Sequence, residues 1–126
     1  MEYTLRAVLL VDDEPGFLDV MGRRLRRRGI RAALAASGQE ALEAVRRERF
    51  DAVVTDLKMP GMDGLALMEC LRDIVPDLPV VLLTGHAGET EAREAVRRGV
   101  AEYLHKPCDF EVLLKTLLRV AEEKHV

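Results

Sequence analysis

The sequence predicts an α/β domain built on a parallel sheet, and three observations carry that expectation. Apolar runs of strand length alternate five times with stretches of helical periodicity. The first run is apolar almost throughout, as in a strand covered on both faces. Several runs also end in a polar residue able to do chemistry. Val8-Leu9-Leu10-Val11 precedes Asp12-Asp13, Val53-Val54-Thr55 precedes Asp56, Val80-Val81-Leu82-Leu83 precedes Thr84, and Tyr103-Leu104-His105 precedes Lys106-Pro107. In an open parallel sheet the carboxyl ends of the strands face one crevice, and ligands bind there.

Residues 6–11 read as the first strand. A helix follows from about Pro15 to Arg28. Pro15 suits its first turn, Asp13 or Glu14 lies near the cap, and Gly29 can close it. Phe17, Leu18, Met21 and Leu25 give it one apolar stripe. The second strand, near Ile30–Ala35, has the weakest pattern and reads as an edge. Ser37 with Glu40 forms a capping box that opens a helix with Ala41, Leu42 and Val45 inward. The third strand is Ala52–Thr55. The turn-rich loop Met59-Pro60-Gly61-Met62-Asp63-Gly64 then leads to a helix with Leu67, Leu71 and Ile74 inward. Pro76 and Pro79 end that helix and begin strand four. A helix from about Glu89 to Arg98 is stopped by Gly99, and offers its core side only Ala92, Ala95 and Val96. Strand five is Ala101–His105. The last helix runs from about Phe110 to Glu123, with Phe110, Leu113, Leu114, Leu117 and Ala121 inward.

A chain of 126 residues suits one domain with a real core, and a hydrophobic fraction of 48% argues against disorder. We expect a single domain over residues 1–126, with no output segment after the last helix. The net charge of −3, with acids and bases interleaved, calls for neither nucleic acid nor membrane as the main partner. No apolar stretch approaches the roughly 18 residues of a membrane-spanning helix. Met1-Glu2-Tyr3-Thr4-Leu5-Arg6 lacks a signal-peptide pattern, so a cytoplasmic location is expected. Cys70 and Cys108 have no metal-ligand spacing and read as small packing side chains.

The chemistry lies at the strand ends. Adjacent acids such as Asp12 and Asp13 equally serve as helix caps. With Asp56 ending a neighbouring strand they become three carboxylates in one crevice, and a hard cation with oxygen ligands relieves their repulsion. Magnesium suits such a site because it keeps several waters and takes one or two carboxylates plus a phosphate oxygen. Asp56 is the candidate nucleophile, since carboxylates do form aspartyl-phosphate intermediates. Its bland alternatives are a loop cap or a third metal ligand. Phosphoryl transfer needs mainly in-line placement and charge neutralisation. Lys106 offers a fixed positive charge and Thr84 a hydroxyl. A cis Lys106-Pro107 bond would turn the lysine back into the crevice, whereas a trans proline would merely start the last helix.

With these residues assembled, the chain resembles a response-regulator receiver domain of two-component signalling over essentially its whole length. The resemblance is carried by Val11-Asp12-Asp13-Glu14-Pro15, by Asp56 through Gly64, by Leu83-Thr84-Gly85 and by Tyr103-Leu104-His105-Lys106-Pro107. It implies a doubly wound, flavodoxin-like sheet of five strands in the order 2-1-3-4-5, with Mg2+ at the crevice. By that likeness Asp56 accepts phosphoryl from the phosphohistidine of a partner histidine kinase. Asp13 would bind the metal directly, Asp12 largely through water, and Lys58 through its backbone carbonyl. Thr84 and Lys106 would bind phosphoryl oxygens, and Tyr103 would reorient with Thr84. The resemblance implies a switch rather than a turnover enzyme, with self-directed phosphorylation and dephosphorylation only. A downstream protein or domain would read the surface formed by residues 88–110. Glu102, where the family often has Asp, and Cys108 are minor departures that do not touch the acceptor.

Other features point elsewhere less strongly. Arg23-Arg24-Leu25-Arg26-Arg27-Arg28 reads as a solvated helix face with Leu25 inward, since no recognition module or interleaved aromatics accompany it. His86 reads as bordering the site, and His125 as a tail residue. A flavin carrier of the same fold type would need a phosphate-cradling loop where this chain has two acids. An Asp-nucleophile phosphatase would place an acid two residues after the nucleophile, where this chain has Lys58.

Overall fold

A computed structural model describes residues 5–85 and 89–123. The strands are β1 (Ala7–Val11), β2 (Arg31–Ala35), β3 (Ala52–Asp56), β4 (Val80–Thr84) and β5 (Glu102–His105). Between and after them come α1 (Pro15–Arg27), α2 (Gly38–Arg47), α3 (Gly64–Ile74), α4 (Glu89–Arg97) and α5 (Phe110–Glu123). The strands form one parallel sheet in the order β2-β1-β3-β4-β5. The weakly patterned β2 is indeed an edge, and the half-exposed β5 is the other.

Period-two alternation decides which helices cover which face. Leu9, Val11, Val53 and Leu82 point to the side packed by α2, α3 and α4. Val8, Leu10, Val54, Val81 and Leu83 point to the side packed by α1 and α5. The two faces are not equally furnished. Helix α5 buries Phe110, Leu113, Leu114, Leu117 and Val120, whereas α4 buries only Ala92 and Ala95. The expectation that Val96 packs inward is not met, since it is 39% exposed. One residue beyond Ala95 is about 100° further round the helix, which carries Val96 off the narrow inner line.

Local chemistry explains most boundaries. Strand β1 begins at Ala7 rather than Arg6, and the Asp51 carboxylate accepts from the backbone N–H of both residues, at 2.7 and 2.9 Å. The capping residue of α1 is Glu14, but its side chain makes no cap bond; Pro15, which has no N–H to satisfy, occupies the first turn. At α2, Ser37 Oγ accepts from Glu40 N at 3.2 Å, while Glu40 Oε1 accepts from Ala36 N rather than from Ser37. In the Arg23–Arg28 run Leu25 is fully buried and the five arginines are exposed, as expected of a solvated face: Arg23 pairs with Asp19, Arg26 donates to Ala32 O, and Arg24 and Arg28 lie over the Phe110 ring. His86 and His125 lie outside the described residues.

Candidate functional site

Register sets the site. Strands β1 and β3 pair Val8 with Ala52 through Val11 with Thr55, so the next residues, Asp12 just past β1 and Asp56 at the end of β3, stand side by side. The ladder continues past β3: Leu57 N donates to Leu83 O at 2.8 Å. Lys106 N donates to Thr84 O at 2.8 Å, which ties the end of β5 to the end of β4. Gly64 makes the arrangement possible from below. A Cβ there would lie 2.5 Å from Asp56 O and 3.0 Å from Leu57 Cα, so only glycine lets α3 start this close to the end of β3.

Four of the expected groups converge. Asp12, Asp13 and Asp56 each present a carboxylate oxygen within 4.8 Å of the others. Asp12 is fully buried and Asp56 is 8% exposed, while Asp13 is open to solvent. Lys106 Nζ stands 2.9 Å from Asp12 Oδ2 and 3.2 Å from Asp56 Oδ2. The Lys106-Pro107 bond is cis. Asp12 Oδ1 accepts from Glu14 N at 2.9 Å, and Asp56 Oδ1 from Lys58 N at 3.4 Å, so each acid is also oriented by its own loop.

These contacts set the electrostatics. Burial pushes the Asp56 carboxyl above its ordinary value of 3.8; Lys106 pulls it down, and the Asp12 charge adds to the rise. Burial works against the Lys106 ammonium, but the hydrogen bond to Asp12 and the charges of Asp56 and Asp12 overcome it, holding the group above 10.5. Burial and the neighbouring Asp109 push the Cys108 thiol up, which argues against a reactive thiolate. The donor set at the crevice is all oxygen and all carboxylate, which fits a hard divalent cation and not a soft one.

The side chains of the remaining expected residues make other contacts. Thr84 is buried at the end of β4, and its hydroxyl donates to Gly85 O at 3.0 Å. The Lys58 side chain points away from the acids to Glu91 on α4, at 2.7 Å. Tyr103 is half-buried on β5, edge-on to His105 with ring centroids 5.7 Å apart. The structure adds two residues to which the sequence assigned no role at the site. Glu14 Oε1 lies 3.5 Å from Lys106 Nζ, and the Phe17 ring centroid lies 5.1 Å from it. A run of three consecutive acids ahead of a helix was the available signal for Glu14. A cleft of about 420 Å3 lined by Leu5, Arg6, Arg28, Ile30 and Leu114 lies at the amino-terminal end of β1, away from all of these groups.

Residues 8–118 match the model of the response regulator receiver domain. The chain is 39% identical over 110 residues to the transcriptional regulatory protein GlrR of Escherichia coli (strain K12), covering 87% of this chain and 25% of that protein. It is 37% identical over 119 residues to the transcriptional regulatory protein ZraR of Escherichia coli O157:H7, covering 94% and 27%. The chain thus spans about a quarter of the length of these curated relatives. Among solved structures, a response regulator receiver domain from Clostridium thermocellum superposes with a TM-score of 0.91 at 30% identity, covering 96% of this chain and 98% of that one. The relatives' names refer to transcription, so the expectation that nucleic acid plays no part gains no support from them. Among the described residues no helix is long and apolar enough to cross a membrane. The flavin-carrier and phosphatase readings find no support. With the acids at the ends of β1 and β3, the lysine after β5 and the 2-1-3-4-5 sheet in place, the chain belongs to the receiver domains of two-component response regulators.

Proposed function

We propose that this domain takes a phosphoryl group onto Asp56 from the phosphohistidine of a sensor histidine kinase, and that the modification alters the surface formed by α4, β5 and α5. The observation that carries the reading is the shared ammonium: Lys106 Nζ bridges Asp12 and Asp56 beside three mutually close carboxylates. An Asp56 carboxylate oxygen attacks phosphorus, the P–N bond breaks, and the imidazole leaves with its electron pair. Burial that raises the Asp56 pKa also makes the carboxylate a stronger nucleophile. Lys106 would neutralise a phosphoryl oxygen while remaining beside Asp12. Thr84, now bonded to Gly85 O, would rotate to donate to another, with Tyr103 following.

Asp13, Asp12 (largely through water), Asp56 and the Lys58 carbonyl would hold Mg2+. Bound there, the ion would cancel the repulsion between the acids and the incoming anion. A cytoplasmic location and a downstream protein or domain that reads the altered face complete the reading. We assign the domain no turnover activity beyond gain and loss of its own phosphoryl group. The test is intact mass after incubation with magnesium and a small acyl phosphate. One phosphoryl group should be gained and should be lost in hydroxylamine. Asp56→Asn should gain none, and labelling of that variant at a comparable rate would sink the assignment.

A further inference from the structure

We propose that the Lys58–Glu91 ion pair is a tether holding the first turn of α4 against the loop after Asp56, and that a phosphoryl group on Asp56 releases it by drawing the Lys58 ammonium away. The release step rests on the reading that Asp56 is the acceptor; the tether itself does not. Lys58 Nζ and Glu91 Oε2 are 2.7 Å apart across 33 residues of sequence. The same lysine touches the acceptor through its backbone, since Lys58 N donates to Asp56 Oδ1 at 3.4 Å. One residue therefore contacts the modified carboxylate with its main chain and α4 with its side chain.

Helix α4 is the element on which a weak tether can matter. Its buried side chains are Ala92 and Ala95, so apolar contact holds it loosely. Polar links act at both ends: Lys58 at the first turn, and Arg98 with Glu69 of α3, 3.2 Å apart, just past the last. A phosphoryl group brings up to about two negative charges where Glu91 offers one, and brings them next to the Lys58 backbone. Half or more of each side chain in the Lys58–Glu91 pair is open to water, so the pair is weak and sensitive to salt. That weakness suits a link that must break and re-form. The Arg98–Glu69 pair lies at the far end of the helix, so release would free the first turn while the last stays tied.

The unmodified protein tests the tether directly by amide exchange across residues 89–97. Lys58→Gln and Glu91→Gln should each speed exchange of the first turn by about two- to fivefold, the range expected for an exposed pair. The double variant should be no faster than either single one. About 0.5 M salt should produce the same acceleration in the wild type and little in the variants. Exchange at the wild-type rate in both single variants, or an additive double variant, would overturn the tether. With magnesium and beryllofluoride, the wild-type first turn should speed up to the Glu91→Gln level, while Glu91→Gln itself gains little. An equal further gain in both proteins would overturn the release step. Intact mass after acyl-phosphate treatment keeps the two readings apart. Failure of the wild type to label would remove the acceptor and the release step together, leaving the tether judged on the unmodified proteins.

Discussion

Replacing Lys106 with methionine keeps most of the aliphatic stem and removes the ammonium that Asp12 and Asp56 share and that stands over the Phe17 ring. At separations of 2.9 and 3.2 Å and an effective dielectric constant near 20, each attraction is worth about 5 kcal/mol before desolvation is counted. Much of that is offset, because the lysine itself leaves water to enter the site. Removing one partner of a fully buried pair costs about 3–5 kcal/mol. Here the lysine side chain is 21% exposed, and Asp56 can take up a proton in its place, so about 2–3 kcal/mol is expected at neutral pH. At about 4 °C per kcal/mol for a domain of this size, the melting temperature in chelator should fall by about 8–12 °C. Magnesium should narrow the gap, since a cation among the carboxylates does part of the lysine's work. The magnesium-induced rise should therefore be larger in Lys106→Met than in the wild type, with a tighter apparent Kd. Thermal melts in chelator and across a magnesium titration decide the matter. Equal melting in chelator, or a smaller magnesium shift in the variant, would refute the reasoning and make Lys106 a support for the metal ligands.

The raised pKa of Asp56 fixes the sign of a pH effect. Below the ordinary 3.8 the carboxyl is protonated folded or unfolded; as pH climbs from there through the higher folded pKa, the folded state loses stability. Asp56→Asn should flatten that slope and raise the melting temperature at neutral pH in chelator, as calorimetry across pH would show. Gly64→Ala places a methyl group 2.5 Å from Asp56 O, against backbone rather than a mobile side chain. A loss of about 1–3 kcal/mol in denaturant titration and slower phosphoryl labelling should follow together. Truncating Leu113, wholly buried on α5, to alanine should cost about 2–5 kcal/mol, whereas Val96→Ala on α4 should cost under about 0.5. Chemical denaturation of the two variants tests that inequality between the helices.

What the sequence made legible was whatever depends on periodicity and on strand ends. Leu9 and Leu10 occupy opposite faces because they are neighbours in a strand, and Asp12, Asp56 and Lys106 meet because parallel strands end together. What stayed hidden depends on the reach of side chains across loops. Nothing in the spacing of Lys58 and Glu91 announces a contact between them. Glu14 reads as a cap residue, yet its carboxylate lies near a lysine 92 residues away. Val96 fits the helical stripe on paper, but α4 rests on the sheet along a line of alanines too narrow to include it.

The carboxylate of Asp51 bonds the backbone where β1 begins, at the opposite end of the sheet from the crevice. Because β3 starts at the very next residue, this one side chain pins the two strands at their common origin. A slip of one residue would move Asp12 by about 3.3 Å relative to Asp56 and turn its side chain to the other face. The spacing of the two acids is therefore measured out from a fixed point roughly five residues away, much as a ruler is read from its zero mark. Damage at Asp51 would be felt as an error of alignment at a site it never touches.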